Sequence, residues 1–254
     1  MATKEKNEIV KDQVNLPANI DLEAQAGAGM ETVGVKDMAI PFLKILQALS
    51  PECKKSKPEY IEGAEEGKIC NTVTGELYDS VQIVPCFYQF VINEWKPDRG
   101  GYVGTHLESS PALAKARRNA KGSLVSEDGN DLVDTANWYV LIRTHDGNWT
   151  WGVLAFTSTQ LKKSRNLMSR LQSIKMNGKN GLFTPPIYAH ILDLSTVPES
   201  NDQGDWSGWK IELAGKKAFE DQSLFNLAIQ YHEQVKKGLV KAVPVAENVE
   251  PDVY

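Results

Sequence analysis

Three cysteines in 254 residues, Cys53, Cys70 and Cys86, are too few and too oddly numbered for a disulfide framework. None forms a CxxC pair, which argues against a zinc knuckle and suits a reducing cytoplasm. The four histidines, His106, His145, His190 and His232, are scattered without an HxH or HExxH spacing, so the chain carries no metal motif. No run of about eighteen apolar residues exists, the length a membrane-crossing helix needs. The opening MATKEKNEIVKDQ lacks an apolar core and does not read as a secretory signal. P-loop, GxGxxG and GxSxG signatures are also missing. These absences leave a soluble binding protein without cofactor or catalytic residues as the expectation.

The most localised absence is of negative charge. The chain is acidic overall, with 33 Asp and Glu against 28 Lys and Arg. Yet the 46 residues between Asp146 and Asp193 contain no acid, where the average density would place about six. The same window holds six cations: Lys162, Lys163, Arg165, Arg170, Lys175 and Lys179. A basic surface on an acidic protein points to an anionic partner, and nucleic acid is the first candidate.

The cations fall where they can act together. Ser158 to Met176 lacks Gly and Pro, and Thr157 or Ser158 offers a hydroxyl cap, so a helix is predicted there. At 100° per residue from Leu161, the side chains of Leu167, Met168, Leu171 and Ile174 fall between about 220° and 340°. Lys162, Lys163, Arg165, Asn166, Ser169, Arg170 and Ser173 fall between about 40° and 200°. That second face is composed of the residue types that donate to phosphate oxygens. A merely solvated face would normally interleave Glu with Lys, because such pairs stabilise the helix. This one has no Glu.

Along the chain, residues 1–36 read as a mobile arm, 37–239 as one globular domain, and 240–254 as a mobile tail carrying Glu247, Glu250 and Asp252. Met38 to Leu49 reads as a short helix after Pro41. KICNTVTGELYDS reads as a hairpin turned at Gly75. VQIVPCFYQFVINEW reads as a strand with an edge or bend at Pro85. PALAKARRNA reads as a helix within an insertion at about 96–136. A strand is expected near Ile187 to Leu194, then a polar loop VPESNDQGD, a strand SGWKIELA and a last helix from Ala218 to Lys237.

The hairpin flanking Asp146-Gly147 can be assigned by register. With a two-residue loop, Arg143 faces Thr150 and Leu141 faces Gly152. Trp138, Val140, Ile142, Trp149, Trp151 and Val153 then form the core face. Tyr139 and Arg143 occupy the other face, as a ring and guanidinium suited to base stacking and phosphate contact. From Val81 onward the element order is β-β-β-α-β-β. The predicted class is therefore α+β, with an OB-like antiparallel five-stranded barrel, an N-terminal extension and a C-terminal helix.

The runs DMAIPFLKILQALSP, YIEGAEEGKICNTVTGELY, FTSTQLKKSRNLMSRL and VPESNDQGDWSGWKIE resemble a family of tailed-bacteriophage replication-region proteins over about residues 36–214. The resemblance implies an early, single-stranded DNA-binding protein, acting in replication, recombination or transcription in the infected bacterial cytoplasm. It supplies no site residues. The residues expected to bind nucleic acid are Lys162, Lys163, Arg165, Asn166, Arg170, Lys175, Lys179, Tyr139 and Arg143, with a homo-oligomer possible. One alternative is docking on a host protein such as RNA polymerase or a nuclease. Another is a Mg-dependent nuclease using Asp79, Glu94 and Lys96, in the D-(x)n-ExK manner.

Overall fold

The computed structural model describes residues 21, 23–34, 37–97, 100–120, 122–202 and 204–244. The chain divides into two units, residues 1–38 and 39–254. In the first, a 3-10 turn at Glu23–Gln25 runs into a reversal at Gly27 and Gly29, both at positive φ. Most of the expected arm (1–20, 22, 35 and 36) lies outside the described residues, as does the tail from 245.

The second unit is built on one long sheet. Its strands are β1 (Phe42–Ile45), β2 (Ile69–Asn71), β3 (Leu77–Tyr78), β4 (Ser80–Trp95), β5 (Tyr102–His106), β6 (Arg117–Arg118), β7 (Leu124–Val125), β8 (Asp131–Arg143) and β9 (Trp149–Thr157). Helix α1 (Leu161–Ser173) follows, then a separate hairpin of β10 (Met176–Gly178) and β11 (Gly181–Phe183). The chain returns through β12 (His190–Asn201) and β13 (Gly204–Lys217) and ends in α2 (Gln222–Lys236). The main path runs β13-β12-β4-β8-β9-β1-β2-β3, with β5, β6 and β7 extending one end of the β4–β8 ribbon.

This is a mixed half-barrel, and it corrects the OB-like expectation. The predicted helix at Met38–Leu49 is instead β1, which pairs in parallel with β9 and antiparallel with β2. Pro41 O accepts from Val153 N at 2.8 Å, so the apolar run is used as a ladder. Inserting β1, β2 and β3 beyond β9 carries the sheet past five strands, and no ladder joins β3 to β13. The basic helix separates β9 from β12, yet β12 pairs with β4 as well as with its chain neighbour β13.

Other segments follow or correct the expectations individually. The hairpin at Gly75 and the long strand at Val81 form as expected. Pro85 sits at a bulge where the β4–β8 register shifts, the bend its missing N–H favours. PALAKARRNA gives only a 3-10 turn at Pro111–Leu113 before β6. Within the expected insertion at 96–136, β5 pairs with β4 and β7 with β8. VPESNDQGD is no loop: it forms the tip of the β12–β13 hairpin, paired out to Asn201 and Gly204. Asp221 caps α2 by accepting from Ser223 N and Leu224 N.

The β8–β9 register differs from the expectation by one residue. Thr144 N donates to Asn148 O and Gly147 N to Thr144 O, closing a three-residue loop with Gly147 at φ +86°. Arg143 therefore pairs with Trp149, Leu141 with Trp151 and Val140 with Gly152. A one-residue slip exchanges the faces of one strand relative to the other. Trp138, Val140 and Ile142 keep the predicted core face, and Trp138 now pairs with Leu154. Trp149, Trp151 and Val153 move to the face of Tyr139.

Both faces are covered. Trp138 Nε1 donates to Ser164 Oγ of α1 at 2.8 Å, while Tyr139 meets Tyr231 of α2 edge-on at 6.3 Å. Successive strand residues point to opposite faces, so α1 and α2 pack on opposite sides. Trp151 stacks on Tyr231 at 4.9 Å, and Tyr231 OH donates to Gly152 O. A Cβ at Gly152 would lie 2.2 Å from Ile142 Cδ1, so glycine leaves the space that Ile142 fills. Val240 and Ala242 are buried beyond the expected domain end at 239.

His190 opens β12 at 1% exposure, and neither ring nitrogen has a hydrogen-bond partner among the described residues. Burial, assisted by the Lys217 charge, lowers its pKa. The folded protein thus holds a neutral imidazole that the unfolded chain protonates below about pH 6.5. Because the folded pKa is the lower one, stability is full above that value and declines as pH falls toward the folded pKa. Replacing His190 by Leu should flatten this decline, read as urea midpoints at pH 7.5 and pH 5. An equal acid loss in wild type and His190→Leu would show that His190 does not contribute to it.

Candidate nucleic-acid interface

β9 passes into α1 through Ser158, at φ 47° the one non-glycine residue at positive φ among the described residues. A 3-10 turn, Ser158–Gln160, then leads into the helix. The hydroxyl cap expected from Thr157 or Ser158 is not made: Thr157 precedes the 3-10 turn without a side-chain cap hydrogen bond, and the residue at the N-cap of α1 is Gln160, also without one. Leu161, Ser164, Leu167 and Leu171 are buried against the sheet, and Lys162, Arg165, Asn166, Ser169 and Arg170 are exposed. The amphipathic division therefore follows the 3.6-residue period, except that Ser164 is inside as the acceptor for Trp138.

The cations do not form one uniform face. Lys163 Nζ reaches Trp209 O at 2.5 Å and Glu199 Oε1 at 2.6 Å. Arg170 donates to Ile211 O at 3.1 Å, and Gln160 accepts from Trp209 N at 3.1 Å. β13 ends the sheet path, so these backbone groups belong to its open edge. Further along that edge, Gln47 Oε1 accepts from Ser207 N and Gln47 Nε2 donates to Ser207 O, each at 2.9 Å. Side chains from α1, its leading turn and the β1–β2 connection thus take the place of a neighbouring strand.

Glu199 gathers the end of this row. It accepts from Lys163, from Gln160 Nε2 at 2.9 Å and from Trp206 Nε1 at 2.9 Å. Burial opposes its ionisation, but these donors outweigh burial and hold its carboxyl below the usual carboxylate range. The carboxylate lies over Gly208, where a Cβ would stand 2.1 Å from Glu199 Oε2. A cleft of about 460 Å³ beside the pair is lined by Thr159, Lys162, Asn166, Ser200 and Trp206.

Lys162, Arg165 and Lys179 have no ion-pair partner among the described residues, and all three are exposed. Lys162 and Arg165 project from α1, and Lys179 stands in the turn between β10 and β11. Lys175 ties that hairpin back, donating to Gln172 O at 3.2 Å and to Thr184 Oγ1. Leu182 and Phe183 on β11 are exposed, at 71% and 45%.

The sheet residues assigned to the interface are not on a free face. Tyr139 is 2% exposed, donates to Gln89 Oε1 at 3.2 Å and accepts from Ala242 N at 3.1 Å. Burial raises its pKa, and no base can stack on a ring enclosed by Phe87, Tyr231 and the chain end. Arg143 is exposed, but it donates to Gln82 Oε1 at 2.7 Å and lies over the Trp149 ring at 6.0 Å. The stacking surface expected from Tyr139 and Arg143 is therefore corrected, and with it the OB-type route to DNA.

The nuclease constellation is not assembled. Asp79 precedes β4 and bonds Lys68 at 3.2 Å, whereas Glu94 lies at the far end of that 16-residue strand. Glu94 is held by His106 Nε2 at 2.7 Å and Asn130 Nδ2 at 2.8 Å. Donation from Asn130 leads the causes that lower its pKa. Among the described residues no group of three or more His, Cys, Asp or Glu could hold a metal ion.

The residues that sequence reasoning missed are Gln47, Gln160 and Glu199. Gln47 and Ser207 stand 160 residues apart, so no local pattern joins them. Replacing Lys163 and Arg170 together by Met keeps their aliphatic length but leaves two edge carbonyls open. The charge-assisted bond of Lys163 is worth about 1.5–3 kcal/mol and that of exposed Arg170 less. Urea unfolding should show a loss in that range, and sedimentation should show concentration-dependent association through β13. A variant as stable and as dispersed as wild type would refute the edge-sealing role.

No match is found among curated proteins or among solved structures. A family model described as Pam3 phage gp34-like protein matches residues 6–241, which extends beyond both ends of the resemblance noted in the sequence. With nearly the whole folded chain inside that match, the chain belongs to the phage family of Pam3 phage gp34-like proteins.

Proposed function

We propose that this protein binds single-stranded nucleic acid through the outer face of α1 and the adjoining β10–β11 turn. The observation that carries the reading is the set of cations without an ion-pair partner, Lys162, Arg165 and Lys179, on a stretch without any acid. Asn166 and Ser169 are exposed beside them and add neutral donors to phosphate, whereas the Ser173 hydroxyl already donates to Arg170 O at 2.7 Å. Lys163, Arg170 and Lys175 are assigned to structure, since each is already engaged. The mode is phosphate contact without catalysis. The resemblance to replication-region proteins supports single-stranded DNA as the ligand, in the cytoplasm of an infected bacterium. The free thiols Cys53, Cys70 and Cys86 fit that reducing compartment.

A second reading is favoured by one observation. Leu182 and Phe183 stand exposed on a small hairpin, and exposed apolar side chains beside cations also suit a protein partner. Salt separates the two. Binding through phosphates weakens linearly in log salt by counterion release, whereas a protein interface is less steep.

Lys162→Glu, Arg165→Glu and Lys179→Glu combined should weaken oligo-dT binding at least tenfold in fluorescence anisotropy. The salt slope should fall by about 0.7 for each phosphate that the variant no longer neutralises. Melting should be unaffected, because none of the three holds an ion pair in the fold. Unchanged affinity in a folded variant would sink the proposal. With Mg²⁺, wild-type protein should leave the same DNA uncut, and cleavage abolished by Glu94→Ala would replace binding with nuclease chemistry.

A further inference from the structure

The α1 cations can meet phosphates, but Tyr139 is enclosed and offers no surface for bases. The α1 face of the sheet does offer one. After the bulge at Pro85, Tyr88 pairs with Trp138 and Phe90 with Ala136, which places both rings on the same face as α1. Tyr88 and Phe90 pack against the edge of the main core and remain half-buried, whereas Trp138 and Phe156 are fully inside.

The geometry joins these rings to the helix cations. Tyr88 meets Trp138 edge-on at 5.1 Å, and Trp138 donates to Ser164 at 2.8 Å. Arg165, the next residue, is exposed and has no ion-pair partner among the described residues. Lys163 and Arg170 bind β13 on one flank of α1, and on the helical wheel Arg165 occupies the other flank. Burial raises the Tyr88 pKa, while the Arg165 charge lowers it and Glu108 raises it, so both charges lie close enough to act on the phenol. The phenol itself has no hydrogen-bond partner among the described residues, unlike those of Tyr78, Tyr102, Tyr139 and Tyr231.

We infer that Tyr88 and Phe90 form a base-stacking subsite for an unpaired strand whose phosphates lie along Arg165 and Lys162. Two same-face residues on a strand stand about 6.8 Å apart, which gives two rings in file rather than one. Stacking on aromatic faces is tolerant of sequence, so the ligand class is single-stranded nucleic acid without base preference. The cation-only helix face selects this occupant over an apolar protein segment. A duplex is disfavoured, because its bases are already stacked. The inference rests on the proposed nucleic-acid binding and adds the base contact that binding alone does not require.

The test compares oligo-dT with an abasic deoxyribose-phosphate oligomer of equal length, at one salt concentration. Wild type should bind oligo-dT at least tenfold more tightly. Tyr88→Leu with Phe90→Leu removes two stacked bases at about five- to hundredfold each, so it should lose about thirtyfold or more of the oligo-dT affinity and bind the abasic oligomer as before. Tyr88→Phe, which keeps the ring, should bind like wild type. Equal wild-type affinity for the two oligomers overturns the stacking subsite while leaving phosphate binding intact. Full oligo-dT affinity in a folded leucine variant overturns it as well. If the leucine variant does not fold, the wild-type comparison decides alone. Failure of wild type to bind either oligomer overturns the phosphate reading and this inference together.

Discussion

The structure depends on how an unclosed sheet manages its last strand. A half-barrel has two edges, and an edge strand presents a row of N–H and C=O groups that are costly to bury unpaired and prone to pair with another chain. On β13 the row from Ser207 to Ile211 is met by Gln47, Gln160, Lys163 and Arg170. Gln47 is the most strand-like of these, since one amide both donates to and accepts from the same residue. The helix face that looks at first like a uniform anion site is therefore divided by this requirement. One flank is bound to β13 and the other remains available.

Glu199 shows the same constraint from the side of charge. It lies on the hairpin that the sequence presents as a polar loop, yet it meets Lys163, Gln160 and Trp206 over the bare backbone of Gly208. Its carboxylate neutralises Lys163, so the acid-free stretch of sequence is not an acid-free surface. Counting charges along the chain overstates the positive field, because β12 and β13 bring an acid back to the helix. What survives is smaller and lies toward Arg165 and the β10–β11 turn.

Much of the fold was legible where the signal is local. The amphipathic period of α1, the hairpin at Gly75, the long strand through Val91 and the last helix are all written in neighbouring residues. Misreadings came where tertiary pairing overrode propensity. Phe42–Ile45 is apolar enough for a short helix but is taken up between β9 and β2. Asp146-Gly147 is a sound turn signal, yet the loop that forms is a residue longer and shifts the register by one, which sends Trp149 and Trp151 to the other face. Of the site, the cations were visible in sequence; their division into engaged and unengaged was not, because it depends on β13, about 40 residues further on.

The elements that cover the sheet decide which of its rings stay accessible. With helices on both sides, the central sheet cannot serve as an open platform, and Tyr139 becomes a core residue hydrogen-bonded at its hydroxyl. An aromatic ring stays accessible only where a covering element ends. Helix α1 is joined to Trp138 through Ser164, while β4 runs on past Tyr88 to Trp95. Tyr88 and Phe90 lie on that stretch, packed against the main core and half-buried. The bulge at Pro85 is what sets their parity, because the extra residue restores both rings to the α1 side. A backbone irregularity that the missing N–H of proline permits thus determines which face the two rings present, and puts Tyr88 within reach of the Arg165 charge.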